Sequence, residues 1–337
     1  MKNRVLCTCF LALAACGEDT ALEQPAYDGY PYLSHFVELD DGVSMHYLDE
    51  GVGEPIVLLH GVPTQAYLWR DVIPSLQESG RVIAPDMINF GLSDKTEPLT
   101  PAEHLAYLEQ LFDALELENA TLVLHDWGVP IGVAYAAAHP DRVRALAFFE
   151  GPVLPIPDMS IVPPFMMQHL IDPVTARPSL VDDNWFIECF LLDPMCGAVA
   201  QAATDAERQV YRAPFQSPED REQLLLLPQH LPFLDTTGHP VLDPDGPGGE
   251  PALPSPSIDM FHANADYLTS SETPKLFIHG TPGTLPDGQA YAMALQMMFP
   301  NLQVAAVGSA ENPVRHFVQE DAPEELGQRL AGFIDGL

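Results

Sequence analysis

Positive charge is scarce in this chain: Lys and Arg together number 14 against 48 Asp and Glu, a formal charge of −34 over 337 residues. A field of that sign repels phosphate backbones and argues against nucleic acid as a partner. It suits a solvated surface in salty water, where like charges are screened within ~10 Å or less. Long apolar runs are missing too. No stretch reaches the roughly 18 apolar residues of a spanning helix. The Gly-x-Ser-x-Gly signature occurs nowhere, so serine esterase and lipase chemistries lack their nucleophile. Cysteine is sparse, at five residues. No Cys and His cluster has metal-ligand spacing, so no metal site is expected. What is present is 47% hydrophobic and only 18% charged. That is enough apolar surface for one large domain with an inserted subdomain.

The amino terminus differs from the rest. Lys2 and Arg4 precede an apolar stretch at 5–14, too short to span a membrane but suited to the h-region of a secretory leader. It ends in Leu13-Ala14-Ala15-Cys16, which resembles a bacterial lipoprotein processing site. Residues 1–15 are therefore read as a lipoprotein signal peptide, Cys16 as the lipid-bearing first residue and 16–33 as a tether. An ordinary leader with a chance cysteine is the plainer reading. Acyl chains contribute ~0.8 kcal/mol per buried methylene, so several of them hold a domain at a membrane surface. The expected location is the bacterial cell envelope, with the outer membrane ahead of the inner. Cys7 and Cys9 leave with the leader. Cys189 and Cys196 remain, seven apart, and an oxidising envelope permits a disulfide between them, two buried thiols being the alternative.

Segments 35–39 and 43–48, divided by Asp40-Asp41-Gly42, alternate like a hairpin. Short apolar runs at 56–59, 81–84, 121–124 and 144–149 then alternate with helical stretches near 66–78, 101–116 and 129–138. This is the rhythm of βαβ units and a buried parallel sheet. After Glu150 it stops. The proline-rich, apolar segment 151–233 is read as a helical lid, and 234–258, dense in Pro, Gly and Asp, as a surface excursion. Strand and helix resume in 259–337, with runs at 275–278 and 303–307 and helices near 287–298 and 322–334. The core is thus 34–150 joined to 259–337: an α/β fold with a mostly parallel sheet, helices on both faces and an inserted lid.

The most specific segment is Leu124-His125-Asp126-Trp127-Gly128, where a strand meets a helix. A nucleophile elbow puts its reactive side chain there, and here that position holds Asp126. A carboxylate is already anionic at neutral pH and can displace a leaving group from saturated carbon. The product is an ester, which water can reopen, whereas serine would leave an inert ether. Capping of the following helix is the structural alternative for Asp126. Reopening the ester needs a base, and His316, after the last strand and before the final helix, is placed to be it. An acid to orient that histidine comes from Glu150, at the end of a strand, or from Asp287. The backbone N–H groups of Val62 and Trp127 are candidate oxyanion donors. The Trp127 indole N–H is a donor beside the nucleophile, suited to a departing anion, with core packing as its alternative role.

With these residues in view, the chain resembles the haloalkane dehalogenases of the α/β-hydrolase superfamily, in the subgroup with an Asp-His-Glu triad. The likeness rests on His60-Gly61-Val62-Pro63, Ala84-Pro85-Asp86, His125-Asp126-Trp127-Gly128, Phe149-Glu150-Gly151-Pro152 and His316-Phe317-Val318-Gln319-Glu320-Asp321. It runs from about residue 35 to the carboxyl terminus. The resemblance implies Asp126 as nucleophile, His316 as base, Glu150 as acid and Trp127 as halide donor. The reaction it implies turns a haloalkane and water into an alcohol and a halide through an alkyl–aspartate ester, in a monomer without cofactor. One position departs from the pattern. Where the family has Asn or Glu as a second halide donor, this chain has Val62, whose side chain cannot donate. Losing such a bond to a charged halide costs ~1.5 to 3 kcal/mol, roughly tenfold to a hundredfold in rate. Trp185 in the lid, or Gln65, is a candidate substitute, with lid packing the other role for Trp185.

Three other readings are open. Epoxide hydrolases share the aspartate elbow but protonate the ring with two lid tyrosines, and here 151–233 holds only Tyr211. Coelenterazine-type luciferases resemble the same subgroup and keep the same three residues. A lipid-tethered binding protein that has lost catalysis at Val62 is the third.

Overall fold

The computed structural model describes residues 20–21, 30–156, 167–171, 174–232, 256–284 and 288–337. The leader, Cys16, Asp287 and nearly all of the 234–258 excursion lie outside the described residues.

Nine strands form one sheet: β1 (Thr20–Ala21), β2 (His35–Glu38), β3 (Ser44–Glu50), β4 (Pro55–Leu59), β5 (Arg81–Pro85), β6 (Ala120–His125), β7 (Val143–Phe149), β8 (Lys275–Gly280) and β9 (Leu302–Val307). Their order is β1-β2-β3-β5-β4-β6-β7-β8-β9. The first three pair antiparallel, β3 pairs antiparallel with β5, and the rest is parallel. All six residues of β6 are buried, as a strand covered on both faces requires. Helices Pro101–Ala114, Gly128–Ala138 and Pro256–Ser270 pack together, and Ile73–Leu76 packs with Pro323–Ile334. Among the described residues two separate clusters of buried apolar side chains result.

The winding direction reverses at β4. The chain goes from β4 outward to β5, then crosses to β6 on the other side of β4. In open α/β sheets the crevice beyond the carboxyl ends at such a reversal is where ligands bind. Leu59 pairs with Leu124, and His125 with Phe149. That register brings the segments carrying Val62, Asp126 and Glu150 side by side.

Three expectations need correction. The expected helix at 66–78 is two pieces, Ala66–Trp69 and Ile73–Leu76. Pro74 lacks the N–H that a continuous helix would use, so it starts a new one. The 16–33 tether is not free along its length: β1 pairs with β2, and Tyr30 and Tyr32 are buried. Tyr32 donates its hydroxyl to the Arg70 carbonyl at 2.6 Å, and Tyr30 lies against Tyr67 with centroids 5.3 Å apart. Two aromatic rings carry too much apolar area to stay in water. The 234–258 excursion also ends early, because helix Pro256–Ser270 begins within it.

Between residues 167 and 232 the described chain holds only short helical segments and no strand of the sheet. Thr204 and Glu207 form a reciprocal cap on helix Asp205–Arg212. Cys189 and Cys196 are bonded to each other. A crosslink closing so short a loop stabilises by about 2 to 3 kcal/mol, on the chain-entropy account. Thermal melts should show it: Cys189→Ala/Cys196→Ala melts lower than wild type, and adding reductant to wild type removes that difference.

Candidate active site

Asp126 follows the buried strand β6 with φ at +50°, and Glu150 follows β7 with φ at +47°. Such left-handed backbone costs a non-glycine residue roughly 1 to 2 kcal/mol. Packing around each strand end holds it in place, and it turns each side chain off the line of its strand. Close backbone approach completes the elbow. A Cβ on Gly128 would lie 2.4 Å from the Leu59 carbonyl oxygen, and one on Gly61 would lie 2.3 Å from Asp126 Oδ1.

The Asp126 side chain makes no cap to the helix that follows, since that helix has no side-chain cap bond. Instead Oδ1 accepts from the Val62 N–H at 2.8 Å. Oδ2 lies 3.6 Å from His316 Nε2. The other imidazole nitrogen, Nδ1, lies 3.3 Å from Glu150 Oε2. Glu150 Oε1 in turn accepts from the Thr284 N–H at 3.3 Å. Asp126, His316 and Glu150 therefore form one continuous chain of contacts, from two strand ends and the loop after β9. Asp287, the other candidate acid, is among the residues not described.

Burial pushes the Asp126 carboxyl above the usual carboxylate range. His316 and the backbone N–H groups of Trp127 and Val62 pull it back toward the charged form, and Glu150 adds a smaller upward push. Beneath the site, His125 donates from Nε2 to the His316 carbonyl at 3.0 Å. Burial, with His316 close by, holds His125 well below the ordinary histidine range, so it stays neutral.

The His316 loop is clasped by neighbouring segments. The Phe317 N–H donates to the Ala198 carbonyl at 3.1 Å. Asp321 accepts from the Ala200 and Arg315 N–H groups at 2.7 and 2.8 Å. Arg70 donates to both oxygens of Glu320 at 2.6 and 2.8 Å and to Glu207 at 2.8 Å.

Above Asp126 lies a cavity of about 110 Å³. Its walls include Val62, Val153, Leu154, Ile156, Phe186, Phe190 and Leu231, with Asp126, Trp127 and His316 as polar members. Trp127 is buried, and no described residue accepts from its indole N–H. Trp185 is not among the lining residues. It stacks on His169 with centroids 4.3 Å apart and lies against Phe190 at 5.6 Å, the lid-packing role. Gln65 is also outside the cavity, donating to the Val210 carbonyl at 3.3 Å. Neither side chain borders the cavity beside Val62. Tyr211 bonds its hydroxyl to Glu320 and does not line the cavity, so it is not placed to protonate an epoxide. One polar lining residue was not singled out from the sequence: Tyr291, on helix Gly288–Met298. Its only sequence signal is a place on a helix after a carboxyl-end loop, and which face of that helix meets the cavity is not a local property.

Residues 54–191 match the family model described as alpha/beta hydrolase fold. A haloalkane dehalogenase of Sphingobium indicum is 33% identical over 313 residues, covering 89% of this chain and 94% of that protein. The crystal structure of a haloalkane dehalogenase from Agrobacterium tumefaciens C58 superposes with a TM-score of 0.75 at 31% identity, covering 90% of this chain and 96% of that one. A second, from Bradyrhizobium elkani, gives 0.77 at 29% identity, over 90% and 97% of the two chains.

A raised carboxyl makes the folded state hold its proton to a higher pH than the unfolded chain does. Its contribution to stability is then present below the unfolded value and lost as pH rises through the folded one. Asp126→Asn removes that loss. Its melting temperature should exceed that of wild type near pH 7, and the gap should close as pH falls toward about 4. A gap that widens on acidification contradicts the raised carboxyl.

Proposed function

Because the chain belongs to the haloalkane dehalogenase family of α/β-hydrolases, a set of hydrolases acting on carbon–halide bonds, we propose that it cleaves them through an alkyl ester on Asp126. Oδ2 attacks the halogen-bearing carbon in line with the bond that breaks, and the halide leaves toward the Trp127 indole N–H. The carbon–oxygen bond formed replaces the carbon–halogen bond, so the ester is neutral and the negative charge departs with the halide. His316 Nε2 then takes a proton from water, and the hydroxide formed adds to Cγ of Asp126. The charge that develops on Oδ1 meets the N–H groups of Val62 and Trp127. Collapse of this adduct expels the alkoxide, which takes the proton from His316, and the carboxylate is regenerated. The sum is haloalkane plus water giving alcohol, halide and one proton. Glu150 orients the imidazole and stabilises its charged form.

What carries this reading is the division of labour within one carboxylate: Oδ1 is held by a backbone donor at 2.8 Å, while Oδ2 faces the base at 3.6 Å. The apolar walls favour a haloalkane chain over a charged substrate. They also strip water from the nucleophile.

The same reading places the domain as a monomer in the bacterial cell envelope, exported by residues 1–15 and anchored through lipid on Cys16, on the outer membrane ahead of the inner. The leader pattern supports it, and so does the Cys189–Cys196 bond, a linkage that persists in oxidising compartments.

Intact mass of His316→Phe after exposure to 1,2-dibromoethane or short bromoalkanes should rise by the alkyl group, with the adduct on Asp126. Wild type should release halide from the same compounds. If wild type frees no halide across a broad panel of haloalkanes, this function is wrong. Glu150→Gln should slow ester hydrolysis by about a hundredfold or more while leaving ester formation far less affected, seen as a burst of halide followed by a slow steady state.

A further inference from the structure

A halide leaving Asp126 enters a chamber walled largely by aliphatic and aromatic side chains. An anion there is costly unless donors meet it. Trp127 supplies one N–H, and Val62 supplies none from its side chain. Of the described lining residues with a polar side-chain atom, Asp126 and His316 are occupied by the bond-making steps and Trp127 is already the first donor. Only Tyr291 is left.

Its setting fits a donor. The ring meets Phe277 edge-on, with centroids 5.8 Å apart and planes at 74°, which restricts its swing. No described residue accepts from its hydroxyl. Burial alone, with no charged group contributing, pushes the phenol up to about 12, so it carries its proton throughout the neutral range. Tyr291 is half-buried, packed against the apolar core at the cavity's edge.

We propose that Tyr291 is the second donor to the departing halide, supplying from the helix after β8 the hydrogen bond that Val62 cannot. The proposal rests on the dehalogenation reading above. The O–H stays intact through the reaction: it donates to the halide as charge accumulates there and releases it afterwards, so no proton is transferred.

Tyr291→Phe removes the hydroxyl and keeps the ring. Titration of tryptophan fluorescence with bromide and chloride should show halide affinity weakened by about ten- to a hundredfold relative to wild type. Single-turnover halide release should slow more for a chloroalkane than for the matching iodoalkane, because the smaller anion takes the stronger hydrogen bond. The rate of ester hydrolysis in the same experiment should hold. Val62→Asn should raise halide affinity more in Tyr291→Phe than in wild type, a non-additivity that a purely structural tyrosine would not produce. Halide affinity within twofold of wild type in Tyr291→Phe, or an equal loss of rate across chloride, bromide and iodide, overturns the assignment. Failure of the underlying function is distinguishable, since there wild type itself would release no halide.

Discussion

A carboxylate enclosed by apolar walls tends to take up a proton, and the attack proposed for Asp126 needs its charged form. Much of the local architecture serves to keep that group charged without drowning it in water. Its side chain is only 13% exposed, yet it is met by two backbone N–H groups and an imidazole. Those N–H groups cost no side-chain entropy, because the backbone that carries them is already fixed by the β4 and β6 strand ends. Fixed dipoles of this kind stay aimed as charge moves from one oxygen to another, which free water cannot match without reorganising.

His316, the base in the proposed reaction, is positioned from a greater distance. His316 belongs to a loop after β9, and the contacts that hold that loop come largely from the inserted segment. Ala198 and Ala200 bond to it through the backbone. Arg70 joins Glu320, four residues beyond His316, to Glu207 of helix Asp205–Arg212. Phe190 both walls the cavity and lies against the His316 ring with centroids 5.4 Å apart. The covering segment therefore shapes the chamber and steadies the imidazole at once, and the Cys189–Cys196 link restrains the stretch that does both. Selection of substrate and placement of the base are mechanically joined.

The donor role proposed for Tyr291 would move one function from the Val62 position to another element. The backbone donor at that position is kept, since any residue supplies it, while the side-chain donor is gone. The lid tryptophan and the nearby glutamine, both plausible replacements by residue type, are turned to other partners. Tyr291, the remaining polar residue at the chamber wall, comes from a helix nearly 230 positions farther along the chain.

The strand–elbow–helix unit around Asp126, the strand ending in Glu150 and the alternation of apolar runs with helices were legible in the residues themselves. Each depends on contacts within a few positions: a fully apolar strand, a small residue where backbones cross, a carboxylate where the turn needs one. Pro74 was equally readable, but its effect on the expected helix at 66–78 was missed. The packing of Tyr30 and Tyr32, the true surroundings of Trp185 and Gln65, and the place of Tyr291 were not legible. They depend on which strands become neighbours and in what register, and on how the inserted segment folds back. These are contacts between residues tens to hundreds of positions apart, whose energies no local pattern encodes. The sequence by itself determined the chemistry at the strand ends, and the tertiary structure alone decided what faces that chemistry across the cavity.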